Sequence, residues 1–364
     1  MTKLLLDFSL RTKAAPRIAQ GLISPLLAAC RQRGWDADVI VAPGLENTDK
    51  SWRQAPDRSD LFLEEVWLPR LTRRYDVVYT QREGLRALSG RPAHVLQLHE
   101  HQQLRYASWR SLRATARGAW QQHRASQMYD VADGICFSSA WTRSEFIRLE
   151  GREPPVSVVA HLAGWPDDRA PDRPLRKEHL VVANVSTDPR DDPEWALQGW
   201  ADARLPPPWR LALFGARKVQ GPNVPGVEWL GRVPDGDLLS LLSRARIYMH
   251  TGRLEGFGLG VVEALQLGTA VVARRGSAVD ELIPASAGFV LAPNESPGPA
   301  LRTLADAGTK TLADHAWVAG RQFSWSQTAD AVTRALAAVL GHESTQASDG
   351  RTALNHKGAS GDAQ

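Results

Sequence analysis

A chain of 364 residues exceeds what one ordinary hydrophobic core supports, and a prior of about 150 residues per domain points to two domains. With 43% hydrophobic and 23% charged residues and a formal net charge of +4, it reads as a folded, mildly basic protein, which excludes a fibrous or wholly disordered chain. The two cysteines, Cys30 and Cys136, each sit in an apolar segment and read as buried thiols of a reducing compartment, not as a disulfide or a metal site. No window reaches about 18 apolar residues, and MTKLLLDFSLRTK is too short and too early charged for a signal peptide, so the expected location is cytoplasmic.

In chain order, Lys3 to Phe8 predicts a buried strand, IAQGLISPLLAACRQRG a helix ending at Gly34, and ADVIVAPG a second strand closed by Pro-Gly. Such a βαβ unit implies a parallel sheet with right-handed crossovers. Leu61 to Arg74 predicts a helix, then Tyr75 to Gln81 and His94 to His101 two strands. A basic helical stretch from Gln102 to Tyr129 follows, then strand DGICFSS, helix AWTRSEFIRLEG and strand VSVVAHL. Residues 1–165 therefore read as one doubly wound α/β domain, and 166–179, rich in proline and charge, as a linker. A second α/β series spans 180–325, from LVVANVS to the edge strand AGFVLAP and the helix after it. Residues 326–340 form a last helix, and the polar, aperiodic 341–364 predicts a disordered tail.

The second series is organised around EGFGLGVVEALQLGTAVVARRG, Glu255 to Gly276. RIYMHT before it suits a strand and VVEALQL suits a helix, so the glycine loop lies at a strand end, where open α/β sheets bind ligands. Gly256 and Gly258 carry no Cβ and let backbone approach a ligand, and the N–H groups of Leu259 and Gly260 face outward at the positive end of the helix dipole, a phosphate site. Glu263 falls roughly 6 Å up the helix, placed to accept from a ribose diol. Glu255 lies on the other side of the phosphate position. The spacing suits a nucleotide diphosphate sugar; it equally suits a loop cap at Glu255 and a solvated carboxylate at Glu263.

EGFGLGVVEALQLGTAVVA, followed by GSAVDEL and AGFVLAP, resembles the signature of the family-4 retaining glycosyltransferases. ADGICFSSAWTRSEFIRLEG resembles the end of that family's first domain, and Trp325 in FSWSQTADAV resembles its last helix, which crosses back to the first domain. The resemblance implies an α/β fold of GT-B type, two Rossmann-like domains facing a cleft. It also implies metal-independent, retaining transfer of a sugar from a nucleotide sugar, with no cofactor. Carried over by position, Glu255 and the backbone of Gly256, Phe257 and Gly258 hold the donor sugar. Leu259 and Gly260 hold the diphosphate, Glu263 the ribose, and His99 faces the sugar from the other domain. The acceptor class stays open among a small molecule, a lipid-linked carrier and a glycan. Two alternatives remain beside transfer: a silent nucleotide-sugar-binding partner subunit, and a sugar-nucleotide epimerase.

This chain also departs from the family. In the loop NVSTDPRDDPEW, where the family grips the diphosphate with an arginine and a lysine, Arg190 is the single base left to bind the donor phosphate, among Asp188, Asp191 and Asp192, with Asp191 where the family has a lysine. Arg217 and Lys218 read as a solvated loop. RTKAAPR replaces a glycine pair, so Arg11, Lys13 and Arg17 stand where they can meet an anionic group, and AHLAG replaces a Pro-Asn-Gly turn. The 102–129 segment carries Arg105, Arg110, Arg113, Arg117 and Arg124 with interleaved aromatics, read mainly as a solvated helix face and secondarily as a weak peripheral membrane contact. No nucleic-acid motif accompanies it. Asp235 and Asp237 read as a helix cap, Ser277 to Asp280 as a capping box, and Glu281 as support for that helix start.

Overall fold

Apolar runs without alternation, such as Leu4 to Leu6 and Val77 to Tyr79, are buried on both faces, as strands of a parallel sheet covered by helices must be. The computed structural model describes residues 1–12, 14–45, 52–86, 92–101, 112–166, 169, 171–172, 176–186, 188, 190–215 and 224–355, with the side chains of 112–117 and 342–355 left aside. The first half forms β1 (Lys3–Phe8), β2 (Asp36–Val41), β3 (Arg53–Gln54), β4 (Val77–Thr80), β5 (Ala93–Leu98), β6 (Gly134–Phe137) and β7 (Val156–Val159). They order as β3-β2-β1-β4-β5-β6-β7, and every pairing is parallel. The second half forms β8 (Leu180–Val185), β9 (Arg210–Gly215), β10 (Val227–Gly231), β11 (Ile247–Met249), β12 (Ala270–Arg274) and β13 (Gly288–Leu291), ordered β10-β9-β8-β11-β12-β13 and again parallel. The order reverses at β1/β4 and at β8/β11, so each domain has its switch-point crevice at the carboxyl ends of those strands.

Helices α1 (Ala15–Gln32), α2 (Asp60–Phe62), α3 (Leu68–Thr72), α4 (Leu112–Val131) and α5 (Ala140–Glu150) belong to the first half, with a π-helical turn at Leu63–Trp67 joining α2 to α3. Helices α6 (Pro193–Ala203), α7 (Asp235–Arg244), α8 (Leu259–Gln266), α9 (Gly298–Asp306) and α10 (Thr309–Gly320) belong to the second. The last, α11 (Trp325–Asn355), returns to the first domain. A Cβ on Gly21 of α1 would lie 2.2 Å from the indole of Trp325, whose N–H donates to Gly164 O at 3.2 Å. Only a residue without a side chain admits that indole, which pins α11 onto α1.

Some expectations are corrected. Residues 341–355 continue α11 instead of leaving it at 340; the segment has no proline, and extending an existing helix needs no new nucleus. Residues 356–364 lie outside the described residues. So do Lys13, Arg105, Arg110, Arg217 and Lys218. Within α4, Arg124 does not form a solvated or membrane-facing charge: it is buried, pairs with Glu64 and Glu65, and donates to Gly84 O. Asp235 does not cap α7 with its side chain, because it is drawn to Arg17 of the other domain. Ser277 makes no side-chain cap either; Asp280 accepts from Gly276 N at 3.1 Å instead. Cys30 and Cys136 are both buried thiols, and burial pushes them up to about 11 and about 12.

Candidate functional site

β11 ends beside β8, so the loop leading into α8 crosses the switch-point crevice of the second domain. Gly258 caps α8 at φ +100°, a conformation that a side chain would strain, and this lets the chain turn sharply from loop to helix. The N–H groups of Leu259 and Gly260 open the helix at the positive end of its dipole.

Gly256 corrects one expectation. The space left by its missing Cβ admits protein, not ligand: a Cβ there would lie 1.8 Å from the carbonyl oxygen of His99 in the first domain. The Gly256 carbonyl in turn accepts from Ser139 Oγ at 2.7 Å and Thr142 Oγ1 at 2.8 Å, at the start of α5. The Phe257 ring is buried against His161 and Phe323, with centroids 6.1 Å away in both cases. The loop that carries the central motif is therefore also a domain contact, and it sets the His99 backbone against Gly256. His99 Nε2 lies 3.3 Å from Gln81 Oε1, at the end of β4.

The Glu255 side chain is about a third exposed, and its Oε1 lies 3.2 Å from Nε2 of the buried His250. His250 Nδ1 is 3.3 Å from the Tyr248 hydroxyl, which donates to Asn184 Oδ1 at 3.0 Å. A buried polar line thus runs from the floor of the sheet to the carboxylate. Sequence reasoning missed His250; its signal was a histidine at a strand end, five positions before Glu255. Burial, with the charges of Glu255 and Asp191, drives the Tyr248 hydroxyl well above its usual range. Burial also raises Asp191, and Glu255 adds to the rise against the opposing pull of Ser186 and His250.

Glu263 is neither solvated nor open. It is 2% exposed, and Arg17 Nη1 donates to both its oxygens, at 2.8 and 3.0 Å. Burial raises the Glu263 pKa and Arg17 counters that rise. Arg17 also donates through Nη2 to Asp235 at 2.6 Å, and its guanidinium lies 5.3 Å from the Trp165 ring.

Arg190 is likewise engaged. Its Nη1 donates to both oxygens of Glu100, at 2.6 and 2.8 Å, while Nε and Nη2 donate to Asp188 at 3.0 and 2.8 Å. Burial disfavours its charge, but the Asp188 hydrogen bonds and Glu100 outweigh burial and hold it above the usual arginine value. Asp192 caps α6 through Trp195 N and pairs with Arg253 and Arg274. Glu281, expected to support its own helix, instead accepts from Ala140 N and Trp141 N, both at 3.1 Å, and so caps α5 of the other domain.

Residues 222–310 match the family described as glycosyl transferases group 1. Over 132 residues the chain is 33% identical to O-antigen chain mannosyltransferase B of Escherichia coli; that segment is 35% of this chain and 32% of the relative. The match thus spans about a third of the curated relative. HepE of Anabaena, solved with UDP and glucose, superposes on 93% of this chain and all of its own, with a TM-score of 0.67 and 17% identity. Sucrose-phosphate synthase of Thermosynechococcus elongatus superposes on 94% of this chain and all of its own, with a TM-score of 0.69 and 17% identity. These likenesses, with the two parallel sheets, establish a GT-B fold.

Proposed function

We propose that the protein transfers a sugar, with retention at the anomeric carbon, from a nucleotide diphosphate sugar to an acceptor. The observation that carries this reading is the position of Glu255 just before and Glu263 just within the start of α8, with the His99 backbone of the first domain packed against Gly256, the neighbour of Glu255. Ribose hydroxyls would bond Glu263, the diphosphate would lie at Leu259 and Gly260, and the sugar would sit between Glu255 and His99. A carboxylate there accepts from a sugar hydroxyl and favours positive charge developing at the anomeric carbon. His250 Nε2 lies 3.2 Å behind that carboxylate. The UDP and glucose in the HepE structure and the mannosyl activity named for the Escherichia coli relative support this donor class and make UDP and GDP sugars the first to test.

One observation favours a second reading, a nucleotide-sugar-binding subunit without turnover: Arg190 is held by Glu100 and Asp188, and Asp191 stands beside it. A thermal-shift screen with UDP, GDP, ADP and dTDP sugars, followed by product analysis with acceptor candidates, separates the two. Transfer is expected, with Glu255→Gln lowering turnover by at least about a hundredfold while the fold persists. Unchanged turnover in that variant would remove Glu255 from the chemistry, and donor binding without any turnover would favour the second reading.

A further inference from the structure

We infer that Arg17, on the first domain, is a donor-binding residue that supplies the diphosphate with the cation its own domain withholds. The inference rests on the nucleotide-sugar reading of the cleft and names a residue that the central motif does not contain.

Two arginines lie near the α8 N-terminus, and their surroundings differ. Around Arg190 stand Asp188 and Glu100 in direct contact, with Asp191 next in sequence and Glu255 close enough to raise the Asp191 pKa. Among the described residues, the Arg190 guanidinium already has a carboxylate on each side, so a phosphate arriving there competes with both. Around Arg17 stand Glu263 and Asp235, and Arg169 is near enough to lower the Asp235 pKa. Among the described residues, two carboxylates there face two guanidinium groups, so an added anion meets no excess of negative charge among them.

The geometry also provides an exchange. A single nitrogen of Arg17, Nη1, holds both oxygens of Glu263. A ribose diol presents two donors to the same two oxygens, so its binding releases the two N–H bonds of Nη1 together. Arg17 is not released with them: Nη2 stays on Asp235 at 2.6 Å as a pivot beside Trp165, and the longer Nε contact of 3.4 Å yields as the guanidinium turns. Glu263 is the fifth residue of α8, roughly 6 Å along the axis from the helix start, within reach of a turned guanidinium. The liberated Nη1 then faces the phosphates, which accept paired N–H bonds well. Ribose recognition and phosphate recognition are coupled through one side chain.

The test compares uridine with UDP and guanosine with GDP by calorimetry on the wild-type chain and on Arg17→Gln. Glutamine still donates to Glu263 but carries no charge. The wild type is expected to bind one diphosphate more tightly than its nucleoside, and Arg17→Gln is expected to reduce that preference by about tenfold or more while nucleoside affinity holds or rises. If Arg17→Gln fails to fold, Arg17→Lys, which keeps a charge toward Glu263 but cannot offer the paired N–H bonds of a guanidinium, carries the same comparison. Equal changes for nucleoside and diphosphate, or none, overturn the inference while leaving the donor site standing. Failure of the wild type to bind any of the four compounds overturns the nucleotide-sugar reading and this inference with it.

Discussion

Lys177 and Arg17 are both cations enclosed by protein, and their surroundings move them in opposite directions. Lys177, where the linker enters the second domain, donates to Ser243 O, Leu267 O and Thr269 Oγ1 at 2.8, 2.7 and 2.8 Å, three uncharged oxygens. Burial brings it down from 10.5 to about 7. Burial acts against the charge of Arg17 as well, but Glu263 and Asp235 outweigh it and hold the residue above the usual arginine value. Carbonyls at the ends of α7 and α8 fix a chain segment; carboxylates hold a charge that a ligand can take over. The first arrangement builds the domain, and the second leaves the cleft a way to respond to its substrate.

The sharpest way to break this contrast is pH. The unfolded chain keeps Lys177 protonated up to about 10.4, whereas the folded chain releases that proton near 7, so the unfolded state binds more protons between those values. Stability from this group is therefore lost toward pH 7 and gained as pH rises, by up to about 1.4 kcal/mol per unit. Urea unfolding at pH 7.5, 8.5 and 9.5 is expected to show that slope in the wild type and to show it reduced in Lys177→Met. Equal slopes would mean that Lys177 stays charged on its three oxygens.

A second test sets Arg190 against Arg17. Arg190→Met removes the guanidinium shared by the buried Glu100 and the partly exposed Asp188, and is expected to cost about 2 kcal/mol of stability. UDP affinity in that variant is expected to change by less than about threefold. A tenfold loss of UDP affinity would instead return the phosphate to Arg190, as the sequence alone implies.

What the sequence made legible was local. Strand runs, the glycine loop before α8 and the return of Trp325 each depend on neighbours in the chain or on one packing stripe. The contacts that define the cleft were not local. Arg17 and Glu263 stand 246 positions apart, and Arg190 and Glu100 stand 90 apart. A basic residue in RTKAAPR signalled an anion, but no periodicity tells whether that anion is a phosphate or a carboxylate of the facing domain. The same holds for Gly256, whose missing Cβ signals a close approach without naming what approaches.

Glu281 offers the smallest and most specific test of how the facing domains hold each other. Its carboxylate stands at the first turn of α5, where Ser139 caps Thr142 N and Glu281 of the other domain satisfies the N–H groups of Ala140 and Trp141. Burial works to raise its pKa, but the His161 hydrogen bond and the Trp141 and Ala140 N–H groups outweigh burial and leave it below the usual carboxylate range. Its contribution is present above the ordinary glutamate pKa of about 4.3 and is lost as pH falls through the lower folded value. Glu281→Gln keeps an acceptor oxygen but gives up the charge and one of the two backbone contacts. It is expected to cost about 1 kcal/mol at pH 7 and to cost progressively less below pH 4. Denaturation across that range would show it; a pH-independent difference would mean that Glu281 acts by shape, with no part for its charge at the start of α5.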